Sequence, residues 1–410
     1  MLFSIQDKIT IKKTNLLSYI SIFFIVFYES LKESRLNTEA NKIFLLVAFL
    51  AFAVQTINRI IISEMNLKKK KVASTLLLSL VFFCIVFQFT TNRDIRLVMS
   101  ILGIYSALWI DETKIINCVL YSKVIALVLV VITGGYNHIN LLAAHSGMII
   151  LLYMCKHKNK FNKLKFLLII VCYVLLCVVS ASGSLVIGLG FALLFELILL
   201  VFPKTTKKIL NSLFVKIFFP ICFFSNLLLV ICYKTYELPG VLNQLNYPIK
   251  RLIYQITIKL NDFFTGRLSL AQFSLREFGY SFLGGDIDSY SNFMYKGHYF
   301  NLDSGMIWLL QGSGILVTSV FLITMTLIMI SFIKRKEYQY AIALMTISLW
   351  GINEDIVRSV GVNFMILFIG KAIVDIFEVN MYNNEIFYRL KQMNLINRKQ
   401  TIRMRWENDS

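Results

Sequence analysis

Arginine, carboxylate and imidazole side chains collect in one late polar segment and at the ends of apolar runs. Arg251, Arg267 and Arg276 all fall within residues 234–304. A guanidinium group is planar and permanently charged, and its two parallel hydrogen bonds match the geometry of a phosphate. This segment therefore indicates the binding of a phosphorylated ligand.

Further polar groups lie in this segment or at the predicted ends of other apolar runs: His138, Asn140, His298, Asp303, Asn353, Glu354, Asp355, Arg358 and the serines of 180–184. An ionisable side chain next to hydrocarbon is costly and indicates function by default. Structural interpretations remain open. His138 would anchor a membrane interface, and the serines would form a tight turn between closely packed helices. Asn353 and Glu354 would cap the next helix or pair with Arg358.

The rest of the chain determines where these groups can lie. Its mean hydropathy is +0.68 and 57% of its residues are apolar, which is more than a soluble core of this length would bury. A transmembrane helix needs about 20 apolar residues, and about twelve such stretches follow one another. They centre near residues 22, 53, 81, 103, 124, 147, 172, 193, 222, 320, 346 and 369. The sequence thus predicts an all-α integral membrane protein with about twelve transmembrane helices.

The basic residues fit a membrane topology better than a nucleic-acid surface. The net charge is +19, and the positive clusters at 68–71, 156–165, 204–208, 334–336 and 389–405 alternate with loops almost free of lysine and arginine. Cytoplasmic loops carry such clusters, so both termini are predicted to be cytoplasmic. The predicted division is nine transmembrane helices in 1–233, a large extracytoplasmic loop at 234–304, three more helices in 305–378, and a basic cytoplasmic tail at 379–410. No nucleic-acid partner is expected.

The loop itself has helical periodicity. Apolar residues recur at spacings of three and four between Ile249 and Phe264, with Lys250, Arg251 and Lys259 off the apolar stripe. This pattern predicts an amphipathic helix in the outer headgroup layer. Its basic side chains would bind anionic lipid phosphates, or the helix would be a structural interfacial element without a ligand. A second helical pattern follows Arg267, and a turn with two glycines, 284–285, is expected to let the backbone approach a bulky ligand.

An ordered set of short motifs resembles the Wzy-type polysaccharide polymerases of the O-antigen polymerase and ligase superfamily. The motifs are 135–140, Gly266 with Arg267, 284–285, 303–305 running on to Gly312 and Gly314, Glu354, and Asn363 with Phe364. The resemblance covers essentially the whole chain. One departure is that the serine-rich turn 180–184 has no arginine, where the family commonly has one. Arg251, Arg267 or Arg276 would then have to replace it.

The resemblance implies a GT-C-like architecture and a metal-independent glycosyltransferase in the bacterial cytoplasmic membrane. Such an enzyme transfers a growing glycan from undecaprenyl diphosphate onto an incoming lipid-linked repeat unit, for capsule, exopolysaccharide or O-antigen. Arg267, Glu354, His138 and Asp303 are the implied catalytic residues. Arg251, Arg276, His298, Asn140 and Arg358 are the implied ligands of the diphosphate-linked substrate. No cofactor is implied, and the expected partners are membrane lipids, a flippase and a chain-length regulator.

Two alternatives share much of this evidence. A ligase would attach the finished glycan to a lipid A core or a protein, using the same architecture. A transporter, such as the flippase for the same lipid-linked units, would also have about twelve helices, but transporters usually contain repeated halves and broken helices at the midplane. The sequence contains no internal repeat and has one large late loop.

Overall fold

The computed structural model describes residues 2–32, 34–36, 38, 41–61, 67–89, 95–157, 163–180, 182–233, 246–285, 294–295, 298–299 and 302–375. The predicted tail 379–410 and the side chain of His298 lie outside the described part. The large predicted loop 234–304 is described at 246–285, at two short strands, and at 302–304.

Helices make up nearly all of the described structure. They are α1 (Leu2–Lys32), α2 (Lys42–Ile61), α3 (Leu67–Phe89), α4 (Ile95–Ala107), α5 (Glu112–Ile132), α6 (Ile139–Lys156), α7 (Lys163–Ser180), α8 (Gly183–Val201), α9 (Pro203–Leu210), α10 (Leu213–Lys216), α11 (Phe218–Cys232), α12 (Tyr247–Phe263), α13 (Arg267–Phe278), α14 (Gly305–Lys334) and α15 (Tyr338–Trp350), followed by a 3₁₀ helix (Phe364–Phe368) and helical residues 369–375. Strands β1 (Met294–Tyr295) and β2 (His298–Tyr299) pair antiparallel.

Seven of these helices are long and apolar enough to cross a membrane: α1, α2, α5, α6, α7, α8 and α14. The predicted helical membrane protein is confirmed at this level. The other five predicted stretches fall in α3, α4, α11, α15 and residues 364–375. Of these, α4 and α15 have 13 residues and α11 has 15, which is short of the length that a span requires. The count of about twelve transmembrane helices therefore stays a prediction.

The bundle packs around α15, whose side chains are buried on nearly every face. It contacts α6, α8 and α11. Glycines allow this closeness, because a Cβ added at Gly147 or Gly188 would lie 2.6 or 2.8 Å from the Trp350 ring. Small residues let helices approach in the same way in many membrane proteins. Outward apolar side chains such as Val178, 76% exposed, form a surface suited to lipid.

Helix α14 is interrupted at Gly314, whose φ of 78° is not helical. The break frees backbone donors, and the segment after α13 accepts from them: Ile315 N donates to Ser281 O at 3.1 Å and Leu316 N to Phe282 O at 3.2 Å. Gly285 N in turn donates to Gln311 O at 2.9 Å. The turn after α13 is thus joined by backbone hydrogen bonds to α14 on both sides of the break.

The two helices predicted in the large loop are confirmed as α12 and α13. Pro248 lies in the first turn of α12, where its missing N–H has no intrahelical partner to lose. Gly266, with a φ of 86°, makes the turn to α13. Asn261 holds the two helices together: its backbone oxygen accepts from Gly266 N at 2.8 Å and its Oδ1 from Ser269 N at 2.9 Å.

Candidate functional site

Four segments that are distant in sequence meet at one end of the bundle. They are the starts of α8 and α13, the residues just before α14, and the segment just after α15. Ser184, Arg267, Asp303 and Glu354 come from these segments in that order, and they form a connected polar cluster. We call these four residues the Arg267 cluster.

Arg267 lies between two carboxylates. Its Nη1 is 2.7 Å from Glu354 Oε1, and its Nε is 3.3 Å from Asp303 Oδ2. The residue is 9% exposed, so this cation is almost withdrawn from water. A buried cation needs such partners, because desolvation without them costs several kcal/mol. The arginine that the sequence selected for phosphate binding is therefore already engaged with two carboxylates.

Glu354 receives two contacts on the same oxygen. Ser184 Oγ donates to Oε1 at 2.5 Å, and Arg267 Nη1 approaches that atom from α13. Ser182 Oγ lies 2.9 Å from Ser184 Oγ and caps α8 by accepting from Leu185 N. Within the described residues, no hydrogen bond or ion pair falls on Oε2. That oxygen is available to a ligand.

The serine turn thus combines the two interpretations that the sequence left open. It starts α8, as a structural turn would, and it also contacts a candidate catalytic carboxylate. The sequence identified the serines as polar residues but did not link them to Glu354, because 170 residues separate the two partners.

A second cluster adjoins the first and involves the next residue, Asp355. Arg358 Nε donates to Asp355 Oδ1 at 2.7 Å, and Arg96 Nη1 of α4 donates to Oδ2 at 3.1 Å. The Arg358 guanidinium also stacks 3.1 Å above the Trp308 ring of α14. The suggested pairing of Arg358 with Glu354 is therefore wrong, since Asp355 takes that position three residues before it. Arg358 is 5% exposed and holds the segment together.

Glu29 of α1 holds the same segment a few residues further along. Its Oε2 accepts from Ser359 Oγ and, at 2.5 Å, from Gly361 N. A Cβ added at Gly361 would lie 2.4 Å from Glu29 Cβ, so only glycine fits there. Sequence reasoning missed Glu29 and Arg96. Each is a charged residue in or beside an apolar stretch, and that signal was present in the sequence.

The surroundings of the neighbouring carboxylates shift their pKa values in opposite directions. Burial raises the pKa of Glu354, and Asp303 adds to the rise, while Arg267 and the Ser184 hydrogen bond oppose it. Partial burial likewise raises the pKa of Asp303 against the opposing charge of Arg267. Burial alone would also raise the pKa of Asp355, but Arg358 and Arg96 outweigh it and hold that pKa below its usual range. Glu354 and Asp303, whose pKa values are raised, are therefore better proton acceptors than Asp355.

The structure brings only some of the other predicted site residues near this cluster. His138, exposed at the start of α6, is close enough for its charge to lower the pKa of Asp303. Asn140 lies in the first turn of the same helix. Arg251 is exposed on α12, and Arg276 is exposed near the end of α13.

The three arginines predicted to replace the family's missing arginine therefore do not converge. Arg267 and Arg276 are nine residues apart on one helix, so their side chains leave opposite sides of it, with about 13.5 Å between them along the axis. Only Arg267 contacts the carboxylates within the described residues.

The glycine pair after α13 has a different role from the one predicted. A Cβ at Gly284 would lie 2.1 Å from Gly312 O, and one at Gly314 would lie 2.3 Å from Gly284 N. Gly284 therefore lets two backbones meet, and the expectation that it approaches a ligand is corrected. Gln311 completes this contact, since its Nε2 donates to Gly279 O at 2.7 Å and its Oε1 accepts from Ser274 Oγ at 2.6 Å.

A groove of about 560 Å³ lies between α11, α13 and α14. Most of its lining is apolar, including Phe223, Leu227 and Leu322. Arg276, Gln272 and Tyr280 contribute polar groups from α13 and the turn after it. A mostly apolar lining with one arginine suits an apolar ligand that carries an anionic group.

Among the described residues, no group of three or more histidine, cysteine, aspartate or glutamate side chains is placed to hold a metal ion. Searches of protein-family models, curated proteins and solved structures find no match to this chain. The assignment of function therefore depends on the geometry of the Arg267 cluster and the adjoining groove.

Proposed function

We propose that this chain is a glycosyltransferase of the cytoplasmic membrane that polymerises glycans carried on undecaprenyl diphosphate. The observation that carries the proposal is the set of contacts made by the two carboxylate oxygens of Glu354. One of its oxygens is held by Ser184 and Arg267, and the other is left for a ligand within the described structure. A carboxylate oriented in this way, with a raised pKa, is suited to accept a proton from a sugar hydroxyl.

In the proposed reaction the acceptor hydroxyl gives its proton to Glu354 Oε2 as its oxygen attacks the anomeric carbon of the donor. A new glycosidic bond forms, the bond between that carbon and the diphosphate oxygen breaks, and the electron pair leaves with the diphosphate. Arg267 stabilises the charges that develop and orients Glu354, while Asp303 orients Arg267.

The groove supports a lipid-linked acceptor. The acceptor's diphosphate lies one repeat unit away from the reacting hydroxyl, because the sugars of the unit stand between them. Arg276, on the opposite side of α13 from Arg267, is spaced to bind this diphosphate while the prenyl chain occupies the groove. The donor's diphosphate, which is attached to the reacting carbon, is then bound beside Arg267.

The test uses source cells in which the gene for this protein is deleted and each variant is expressed from a plasmid. Glu354→Gln keeps the size and a hydrogen-bond acceptor but removes the base, so we expect polymer to fall by about 10²–10⁴-fold while single lipid-linked units accumulate. Arg267→Ala should give the same phenotype. Arg35→Ala is the matched control, because Arg35 is an exposed arginine in the turn that pairs with Tyr136 near the start of α6.

Gel analysis of the glycan and mass spectrometry of extracted lipid-linked units measure the outcome, with membrane levels of each variant measured in parallel. Normal polymer from correctly inserted Glu354→Gln would overturn the proposal. Normal polymer that is no longer joined to its final acceptor would favour the ligase instead.

A transporter of the same units is a second candidate, favoured by the break in α14 at Gly314, because broken helices form the binding sites of many transporters. Purified protein in liposomes separates the two. A polymerase forms glycosidic bonds on substrate that already faces the active side, whereas a transporter moves labelled substrate across the bilayer without forming a bond.

A further inference from the structure

Helix α12 presents three distinct flanks. One flank faces the protein and includes the buried Thr257 and Asn261. A second flank is an apolar stripe that stays uncovered within the described structure, with Ile249, Leu252, Ile256 and Phe263 exposed by 44, 56, 45 and 59%. At 100° per residue these four lie within about 60° of one another. An apolar stripe of this length, open to water, would be unfavourable.

The third flank is polar and basic. Arg251, Gln255 and Lys259 are exposed, and their spacing of four residues places them in one row. The row borders the apolar stripe on the side away from the protein. Asp262 is the single acidic residue of the helix, against the basic Lys250, Arg251 and Lys259.

These three flanks fit a position at the surface of a bilayer. A helix there buries its apolar stripe in the boundary between headgroups and acyl chains and keeps its basic row among the phosphates. The helix contacts α11, an apolar helix whose outer side chains, such as Phe224, are also exposed. Two uncovered apolar surfaces therefore belong to neighbouring helices.

We propose that α12 is a lipid-binding helix that lies in the headgroup layer and that its Arg251 and Lys259 bind anionic phospholipid. Charge complementarity and the adjoining apolar stripe select this partner. The proposal does not depend on the reaction assigned above.

Helix α12 is connected to the Arg267 cluster by a short, hydrogen-bonded turn. Asn261 of α12 bonds Gly266 N and Ser269 N at the start of α13, and Arg267 lies between these residues. Anchoring α12 to the headgroups therefore sets the height of Arg267 above the hydrocarbon.

The experiment uses the full-length protein with its native cysteines replaced, reconstituted in phosphatidylcholine vesicles. A bimane label is placed at Leu252→Cys on the apolar stripe or at Gln255→Cys on the basic row. We expect lipids brominated on their acyl chains to quench the label at 252 at least about threefold more than the label at 255. Aqueous iodide should quench the label at 255 more strongly than the label at 252.

Lipid selectivity is measured with the label at 252. Brominated phosphatidylglycerol should quench it several-fold more than the same fraction of brominated phosphatidylcholine, because each basic residue near the surface attracts anionic lipid. The double variant Arg251→Gln/Lys259→Gln should remove this preference. The double variant Lys204→Gln/Lys208→Gln, which neutralises two exposed lysines of α9, should retain it.

Iodide quenching at 252 without bromolipid quenching would overturn the proposal. So would crosslinking between two copies through 252, since a second protein chain would then cover the stripe. In the protein that keeps Arg251 and Lys259, equal quenching of the label at 252 by the two brominated lipids would overturn the proposed preference for anionic lipid. All of these readouts are independent of glycan synthesis, so they stand or fall separately from the proposed reaction.

Discussion

At the scale of single residues, Glu354 and Asp355 show how neighbours in sequence acquire different chemistry. Arg358 and Arg96 keep Asp355 ionised, and it serves to hold a loop. Glu354 is buried beside Asp303 with a single arginine shared between them, so its pKa is raised. Pairs of titratable groups whose surroundings separate their pKa values are typical of acid and base assignments in enzymes.

Ser184 gives the first prediction. Its hydrogen bond favours the ionised form of Glu354 and so lowers the pKa of this residue. If ionised Glu354 is the base, activity rises with pH through that pKa. Ser184→Ala should therefore move this rising limb to higher pH. On the limb the rate should fall by about tenfold, which corresponds to one hydrogen bond to a charged group.

The pH dependence of glycan polymerisation by purified protein in vesicles measures this effect. The loss should shrink at pH values well above the limb, where Glu354 is ionised in both proteins. Ser79→Ala is a suitable control, because Ser79 Oγ donates to Thr75 O within α3 and takes no part in the serine turn. An unchanged profile with a uniform loss of rate would show that Ser184 acts on packing alone.

Much of this local chemistry was open to prediction, but its pairings were not. The sequence identified Arg267 and Asp303 as polar groups of the late polar segment, and Glu354 and Arg358 as polar groups between two apolar runs. It could not assign Arg358 to Asp355 over Glu354, because spacings of three and four residues are equivalent until the backbone is known. The hydrogen bond from Ser359 to Glu29 joins residues 330 positions apart, and a single sequence carries no record of that contact.

At the scale of elements, periodicity predicted α12 and α13 correctly, because an amphipathic stripe depends only on local spacing. The break in α14 was not predicted. Gly314 lies in an apolar run that continues as a helix on either side, and only the docking of Gly284 shows why its φ is positive. Tertiary contact, which no local pattern encodes, decides the conformation there.

Gly284 gives the second prediction. Its φ is 89° and an added Cβ would lie 2.1 Å from the backbone oxygen of Gly312. Gly284→Ala should destabilise the protein by at least about 1–2 kcal/mol from the backbone conformation alone. The loss of the contact with α14 adds to this cost. Thermal unfolding in detergent measures the change.

Gly183→Ala is the matched control for that variant. Gly183 is the first residue of α8, and nothing lies within 4 Å of its added Cβ. Because alanine is the better helix former, we expect equal or slightly higher stability. Equal unfolding temperatures for the two variants would contradict the docking of the 279–285 turn on the α14 break.

At the scale of the whole molecule, each of the two ends of the bundle holds an arginine that is paired with carboxylates. The Arg267 cluster lies at the end where α8, α13 and α14 begin and α15 terminates. The opposite end holds Arg335, which contacts Glu112, Glu337 and Asp375. Arg335 belongs to the basic cluster 334–336 that the positive-inside rule assigns to the cytoplasm. These contacts place Glu112, Glu337 and Asp375 at the same end as Arg335, and the side of the membrane on which this end lies stays a prediction.

This arrangement gives the last prediction, which concerns the sidedness on which the proposed function depends. Ser281 is exposed in the turn after α13, which bonds α14 at Ile315, and Lys334 is exposed at the last residue of α14. In a cysteine-free protein, an impermeant maleimide added to intact cells should label Ser281→Cys at once and Lys334→Cys only after permeabilisation. In the proposed reaction the lipid-linked repeat units react on the outer face, so the reverse labelling pattern would place this region on the side where no such substrate reaches it and would exclude the polymerase.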